Sequence, residues 1–555
     1  MTTSTNGTDT PPQDRGVLSA SQSSSPPTVH RTLSISEQAS AASSRRIAPP
    51  FFLKWIEYPF RIKNPNTQAY LEEATGQAMD YCGRGPINQA GSFVGSAILK
   101  LAAMEAGGMN NTVHGMKVSS LLTIGNLIAG ITAGVTMPLV GALVDHTDHR
   151  KAMGALSAFV IISASGCQLI LSADTWFVVY VLGIILVYFF IMHQVCVMAY
   201  LPDLTHDTTE MGHYTAMFMA RQYFVQALYT TVIVAVTFSV KLTDIQTAKL
   251  GIGMSFALGL ILFSYSWLFL FRKRPKLREV PAGQNLVTTG FRQLWTTAKV
   301  VFSQYHALKW FMIALLFSPE AGAGTILAIA VTFLTLFVKM TVSEITLVSL
   351  ALLFANIPGA LLSRYMCKLI NPLNSFRAAE ILFAVSNALL ALTVTGPEKK
   401  NLVFIYAILI GVAFGWMFPS QRTTVVALVP KGQETEIMGL VSFFGQILGW
   451  LPSFFFTIMN EKGVNMRWGV CMVSFFLLAS CLCTLMCGSF EAATEKVAHT
   501  SDLYLEQFAR RSVKQDSFLD DGRSSSVLKD STASANGSVQ NGVPKDEQDV
   551  EEDVA

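Results

Sequence analysis

The run Trp176-Phe177-Val178-Val179-Tyr180-Val181-Leu182-Gly183-Ile184-Ile185-Leu186-Val187-Tyr188-Phe189-Phe190-Ile191-Met192 contains no charged residue and a single glycine. It continues through His193-Gln194 to Tyr200 as one apolar span. Wound as an α-helix at about 1.5 Å per residue, it is longer than the roughly 30 Å of hydrocarbon in a bilayer. A strand in a soluble core is usually about 5 or 6 residues long, so this text reads as a membrane-crossing helix. Spans of similar length lie on both sides of it. The first set covers 86–106, 119–143, 152–172, 176–200, 214–238 and 250–271. After a basic stretch, a second set covers 309–337, 343–363, 376–395, 401–425, 435–459 and 466–489. The expected fold class is therefore all-α: a polytopic membrane protein with twelve transmembrane helices in two six-helix halves.

Charge agrees with this reading. Only 14% of the 555 residues are charged, whereas soluble domains average about 25%. The first 85 residues hold 15 of these charges and residues 491–555 hold 21, which leaves 41 for the 405 residues between. So few charges cannot cover a soluble surface of that size. A soluble multidomain enzyme, a nucleic-acid binder and a secreted disulfide scaffold are all excluded. The eight cysteines lie mainly in or beside apolar spans, where cysteine behaves as a small hydrophobe. Cys481-x-Cys483 lacks the spacer and partner ligands of a zinc or redox motif, so no metal is expected. There is no phosphate-binding loop and no nucleophile–base motif. Neither ATP-driven transport, an enzyme activity nor a cofactor is expected.

Five segments follow. Residues 1–85, rich in Ser, Thr and Pro, read as a mostly disordered N-terminal tail. Residues 86–271 form the first bundle, and 272–308 a basic, amphipathic connector on the membrane face. Residues 309–489 form the second bundle, and 490–555 a disordered acidic tail, both tails being open to regulatory proteins. Lys and Arg are more frequent in the loops on the side of the tails, which places both termini in the cytosol. Asn110-Asn111-Thr112 is then a glycosylation sequon on the opposite side.

The halves echo one another. Gly141-Ala142-Leu143 closes the second span as Gly359-Ala360-Leu361 closes the eighth. Met211-Gly212 leads into the fifth span as Met438-Gly439 leads into the eleventh. A duplicated six-helix unit with a binding site between its halves is the plan of secondary transporters.

Two motifs carry a resemblance. Gly141-x-x-x-Asp145 followed by Arg150-Lys151 resembles the loop between helices 2 and 3 of the major facilitator superfamily. It departs from that pattern at His146, Asp148 and His149. In it, Gly141 would let two helices approach closely, while Asp145 and Arg150 would latch one conformation. Gly415-Trp416-Met417-Phe418-Pro419-Ser420-Gln421-Arg422, then Leu428-Val429-Pro430-Lys431-Gly432-Gln433-Glu434-Thr435-Glu436, then Trp450-Leu451-Pro452, is similar to the autophagy-linked vacuolar amino-acid effluxers. The family's Tyr-Asp-Trp-Ala-Asn run in the first span is absent. The resemblance implies alternating access and export of amino acids from a vacuole-like lumen.

Ionisable groups inside spans cost about 2.5–3.5 kcal/mol to insert, so they usually face a cavity. Glu320, in Ser318-Pro319-Glu320-Ala321-Gly322, is a candidate proton-coupling carboxylate, or else one half of a structural ion pair. Arg221, beside Gln222, suits a substrate carboxylate, or else snorkels at a helix end. His193, Gln194, Asn126, Asn356, Asn387 and Gln446 are candidate lining groups or interhelical glue. Arg422 is a candidate inner-gate residue or lipid-facing anchor. The expected partners are an amino acid, protons and the lipid bilayer, in the vacuolar membrane or, as an alternative, the plasma membrane. Rival functions are a proton-coupled carrier of sugars or other organic solutes, and a transporter-derived receptor or scaffold without flux.

Overall fold

The computed structural model describes residues 50–201, 204–205, 208–274, 285–317, 319–430 and 434–499. Ten helices are long and apolar enough to cross a membrane, from Val118–Val144 to Met466–Leu485. Two further elements make the arrangement consistent with twelve crossings. One is the helix Glu72–Ala106; the other is the pair His306–Phe317 and Pro319–Thr332, which continues as a π turn over Phe333–Phe337. The expected all-α fold is therefore observed, and the expected two six-helix halves are consistent with it. The eleventh crossing is split, into Glu434–Ile447 and Leu451–Glu461.

The first helix corrects the expected boundary at residue 86. It begins at Glu72, so that Glu72, Glu73, Asp80 and Arg84 belong to the helix rather than to a tail. Two glutamates in the first turn suit the positive end of the helix dipole. At the other end, Gly107 takes a left-handed conformation (φ 72°) and its N–H closes on the Ala103 and Met104 carbonyls. Mean hydropathy does not pick out this helix because its polar groups, Gln77, Asp80 and Arg84 among them, are buried inside the protein rather than facing lipid.

Residues 50–71 are also ordered. A 3₁₀ helix spans Phe51–Phe60, and Tyr265 donates to Glu57 at 2.6 Å. Asn64 and Asn66 donate to the Glu210 carboxylate at 3.0 and 2.6 Å, tying this segment to the start of the fifth span. The rest of the N-terminal tail and the acidic tail lie outside the described residues. The connector contains one helix, Leu286–Gln304, with Phe291 and Trp295 exposed. It grips the second span: Gly290 rests on the Pro138 carbonyl and Ala142, and His146 meets Gln293 at 2.8 Å. Phe302 reaches Phe444 of the eleventh span.

Within the first half, Glu72–Ala106 packs on the fifth and sixth spans; within the second, the tenth packs on the eighth and ninth. The halves meet where the second span faces the eleventh, the fifth the eighth, and the first the seventh. Large apolar side chains such as Phe159, Leu361 and Phe475 are about two-thirds exposed. Exposure on that scale along the helices is what lipid, rather than water, permits.

Candidate functional site

A fully buried polar cluster lies inside the first half. His193 Nε2 is 2.8 Å from Asp80 Oδ1, and neither side chain is exposed. Trp267 donates its indole N–H to the same oxygen at 2.8 Å, and His193 Nδ1 lies 3.2 Å from the Gly154 carbonyl. Four helices thus converge on one carboxylate. Gly154 makes this possible, because a Cβ there would run into the Trp267 ring. The second carboxylate oxygen, Oδ2, has no hydrogen-bond partner. The cluster lies in the interior of one half, so His193 does not line the interface between halves as a candidate lining group would.

One turn further along the first helix is Arg84, 4% exposed. Its guanidinium sits over the Phe190 ring at 4.4 Å and more distantly over Tyr81 at 5.9 Å. One terminal nitrogen has no hydrogen-bond partner. Arg84 is within electrostatic range of Asp80 on its own helix and of Arg422 in the opposite half. Gln222 and Gln226 of the fifth span pack against the neighbouring Gly85, each within 3.2 Å of the position a Cβ would take. Gln226 donates to Gln89 at 3.0 Å. The start drawn at residue 86 hid both Asp80 and Arg84 from the sequence reading. Their signal was helical spacing, i to i+4, in text that looked like a tail.

The other candidates divide. Arg221 donates to the backbone carbonyls of Arg61 and Pro59, at 3.1 and 3.4 Å. It pins the N-terminal segment, so its assignment to a substrate carboxylate is corrected. A guanidinium satisfies carbonyls at a chain crossing as readily as a carboxylate, and spacing alone cannot tell the two apart. Asn356 is buried where the eighth and tenth spans touch backbone to backbone at Gly359, Gly411 and Gly415. With its amide nitrogen turned toward the tenth span, it donates to the Gly411 carbonyl at 2.7 Å. It is interhelical glue. Asn387 plays the same part, donating to the Val470 carbonyl and Ser474. Gln194, Gln222, Gln446 and Arg422 are half-buried. Gln446 also stands at the break in the eleventh span, where its carbonyl accepts from Gly449. Glu320 is on the helix Pro319–Thr332 and Asp145 near the end of the second span. Their side chains lie outside the described residues.

The close approach expected at Gly141 is not seen among the described residues, where a Cβ would meet nothing within 4 Å. The close approach at this end is made by Gly290 of the connector. Arg150 is buried, donates to the Ala199 carbonyl at 3.0 Å and lies over Tyr200, joining the third and fourth spans. Asp148 pairs with Lys273 at 2.6 Å. The hydrogen bond and charge of Lys273 hold the exposed Asp148 carboxyl below its usual value. These contacts all lie within the first half.

A polar clasp joins the halves at the ends remote from the tails. Glu461 accepts from Ser120 at 2.8 Å, and Lys117 donates to the Glu461 backbone carbonyl at 2.6 Å. Asn460 donates to the Ser119 carbonyl at 3.0 Å, and the hydroxyls of Thr123 and Thr457 are 2.8 Å apart. Ser96 meets Thr335 at 2.9 Å. Asp244 completes the clasp, holding Lys100 at 2.5 Å and accepting from the Val342 N–H at 3.2 Å. Second against eleventh and first against seventh are the pairs that must part if the molecule is to open on that side.

The sequence profile of the family described as vacuole effluxer Atg22-like matches residues 109–222 and 215–496. Glu72–Ala106, with Asp80 and Arg84, precedes the matched region. No curated protein matches the chain in sequence. Among solved structures, the nucleoside transporter NupG is similar with a TM-score of 0.52 and 13% identity, covering 75% of this chain and 100% of that one. XylE, a proton:xylose symporter of the major facilitator superfamily from E. coli, is similar with a TM-score of 0.52 and 11% identity, covering 74% and 94%. At such identities the likeness is one of fold, and the fold is that of the major facilitator superfamily.

Proposed function

The chain belongs to the vacuole effluxer Atg22-like family, and from that premise we propose that it moves amino acids from a vacuole-like lumen into the cytosol by alternating access. The observation that carries this reading is the clasp between the halves. It closes the side opposite the tails through contacts that join whole helices of one half to those of the other. Those contacts are polar, and they run beside a buried apolar cluster that also spans the halves, with Phe93 and Leu121 on one side and Phe333 and Phe456 on the other. Polar contacts of this kind can part and re-form as the halves move. With the tails in the cytosol, as the loop charges favour, the clasped state is the one that releases substrate to the cytosol. Gln194, Gln222, Gln446 and Arg422 are the proposed lining groups of the path. Glu320, on the helix that starts at Pro319, is the proposed coupling carboxylate, exchanging protons as substrate moves. Protein movement and solute binding, not covalent chemistry, are the proposed work of the molecule.

The test is uptake of radiolabelled amino acids into proteoliposomes holding the purified full-length protein, with a pH gradient imposed across the membrane. Flux that follows the gradient is the expected result. No flux for any amino acid overturns the reading. In that event, flux of a sugar or another organic solute favours the general carrier, and silence across a broad panel favours a receptor or scaffold.

A further inference from the structure

The first helix buries a cation that no described residue neutralises by contact. Arg84 is 4% exposed, and one terminal nitrogen has no hydrogen-bond partner. The acid on the same face, Asp80, spends one oxygen on His193 and Trp267. Burying a charge without a partner in contact is strongly unfavourable, so an arginine kept in this condition is waiting for one. Phe190 of the fourth span covers the guanidinium at 4.4 Å. Such stacking occupies the planar face and leaves the edge, which carries the N–H donors, to a ligand. Arg422 of the tenth span, in the other half, lies within electrostatic range.

We infer that Arg84, with Arg422 on the opposite side, is the seat for a carboxylate of the transported molecule. This rests on the transporter reading and names the substrate feature that reading leaves open. A planar carboxylate matches an arginine fork bidentately, and such charge-assisted bonds are the strong ones. The arrangement also couples binding to movement. A bound anion is attracted by both arginines, so it favours the state in which the halves draw together around it. Arg221, the arginine of the fifth span, cannot serve instead, because it is committed to the Pro59 and Arg61 carbonyls.

The experiment uses full-length protein in lipid nanodiscs. A panel of α-amino acids is compared with the amines that remain when each carboxyl group is removed, by thermal shift and by competition against a radiolabelled amino acid. The amino acids should raise Tm and compete, and the matching amines should do neither at equal concentration. Arg84→Lys keeps the charge but loses the fork, and should weaken binding about tenfold or more, in line with the worth of a charged hydrogen bond. Arg422→Gln, at a half-buried position in the other half, should weaken it in the same direction while the protein elutes as a single species. Amines that bind as well as the amino acids overturn the inference, as does wild-type affinity in Arg84→Lys, or a wild-type protein that binds no carboxylate. Should amino acids bind wild type and Arg84→Lys alike, the amino-acid reading survives and the seat falls. Should lactate or citrate bind through Arg84 where no amino acid does, the seat survives and the amino-acid reading falls.

Discussion

A methyl group added at Gly154 would enter the Trp267 ring, and Trp267 is one of the two donors to Asp80 Oδ1. In an ordinary helix interior, Gly to Ala gains about 1 kcal/mol. Here the sign reverses. Gly154→Ala should lower stability by about 1–3 kcal/mol through overpacking, read as a fall in Tm of the detergent-solubilised protein. His193→Leu should cost more, about 3–5 kcal/mol, because it strips a buried carboxylate of its nearest partner. Two further substitutions separate function from support. Arg221→Gln should leave the apparent affinity for carboxylate substrates unchanged while speeding proteolysis near residues 50–70. Unaltered proteolysis and weakened affinity would return Arg221 to the site. Glu320→Gln should flatten the pH dependence of flux, and an unchanged pH profile removes Glu320 from coupling. At this scale the sequence was half legible. His193 and Arg221 stand out as polar letters in apolar text, but the letters do not say what each meets. His193 meets an aspartate more than a hundred positions earlier, and Arg221 meets backbone, which leaves no trace in composition.

The close contact of the eighth and tenth spans sets the geometry of the second half. Gly359, Gly411 and Gly415 bring backbone against backbone, and a Cβ at Gly415 would collide with the Asn356 main chain. Gly415→Val should therefore abolish a monodisperse peak in size-exclusion chromatography, while Gly141→Ala, in open space, should elute like wild type. Equal behaviour of the two variants would contradict the packing. Gly141 and Gly359 look equivalent in the sequence echo, yet among the described residues only Gly359 touches another helix. Ten crossings were legible because lipid-facing helices must be apolar throughout their exposed face. The first helix is less legible because its interior face carries Arg84 and also Asp80, whose partners come from other helices. The eleventh was legible as a span but not as a broken one. Continuous hydropathy does not register the break at Gly449, although the Gly449-Trp450 pair marks it.

At the scale of the molecule, two half-bundles are joined by a clasp on the side away from the tails and by a connector helix that touches the second and eleventh spans. Neither feature is visible in composition, since Ser96, Thr123, Thr335 and Thr457 are unremarkable residues until two halves bring them together. The account holds that this clasp must open and close for substrate to cross. Thr123 and Thr457, whose hydroxyls are 2.8 Å apart, are close enough for a pair of cysteines to be joined there. The most direct measurement is amino-acid flux into proteoliposomes carrying the Thr123→Cys/Thr457→Cys protein, before oxidation, after it, and after reduction. The predicted result is flux that stops when the disulfide forms and returns when it is reduced. Full cross-linking with undiminished flux would contradict the account.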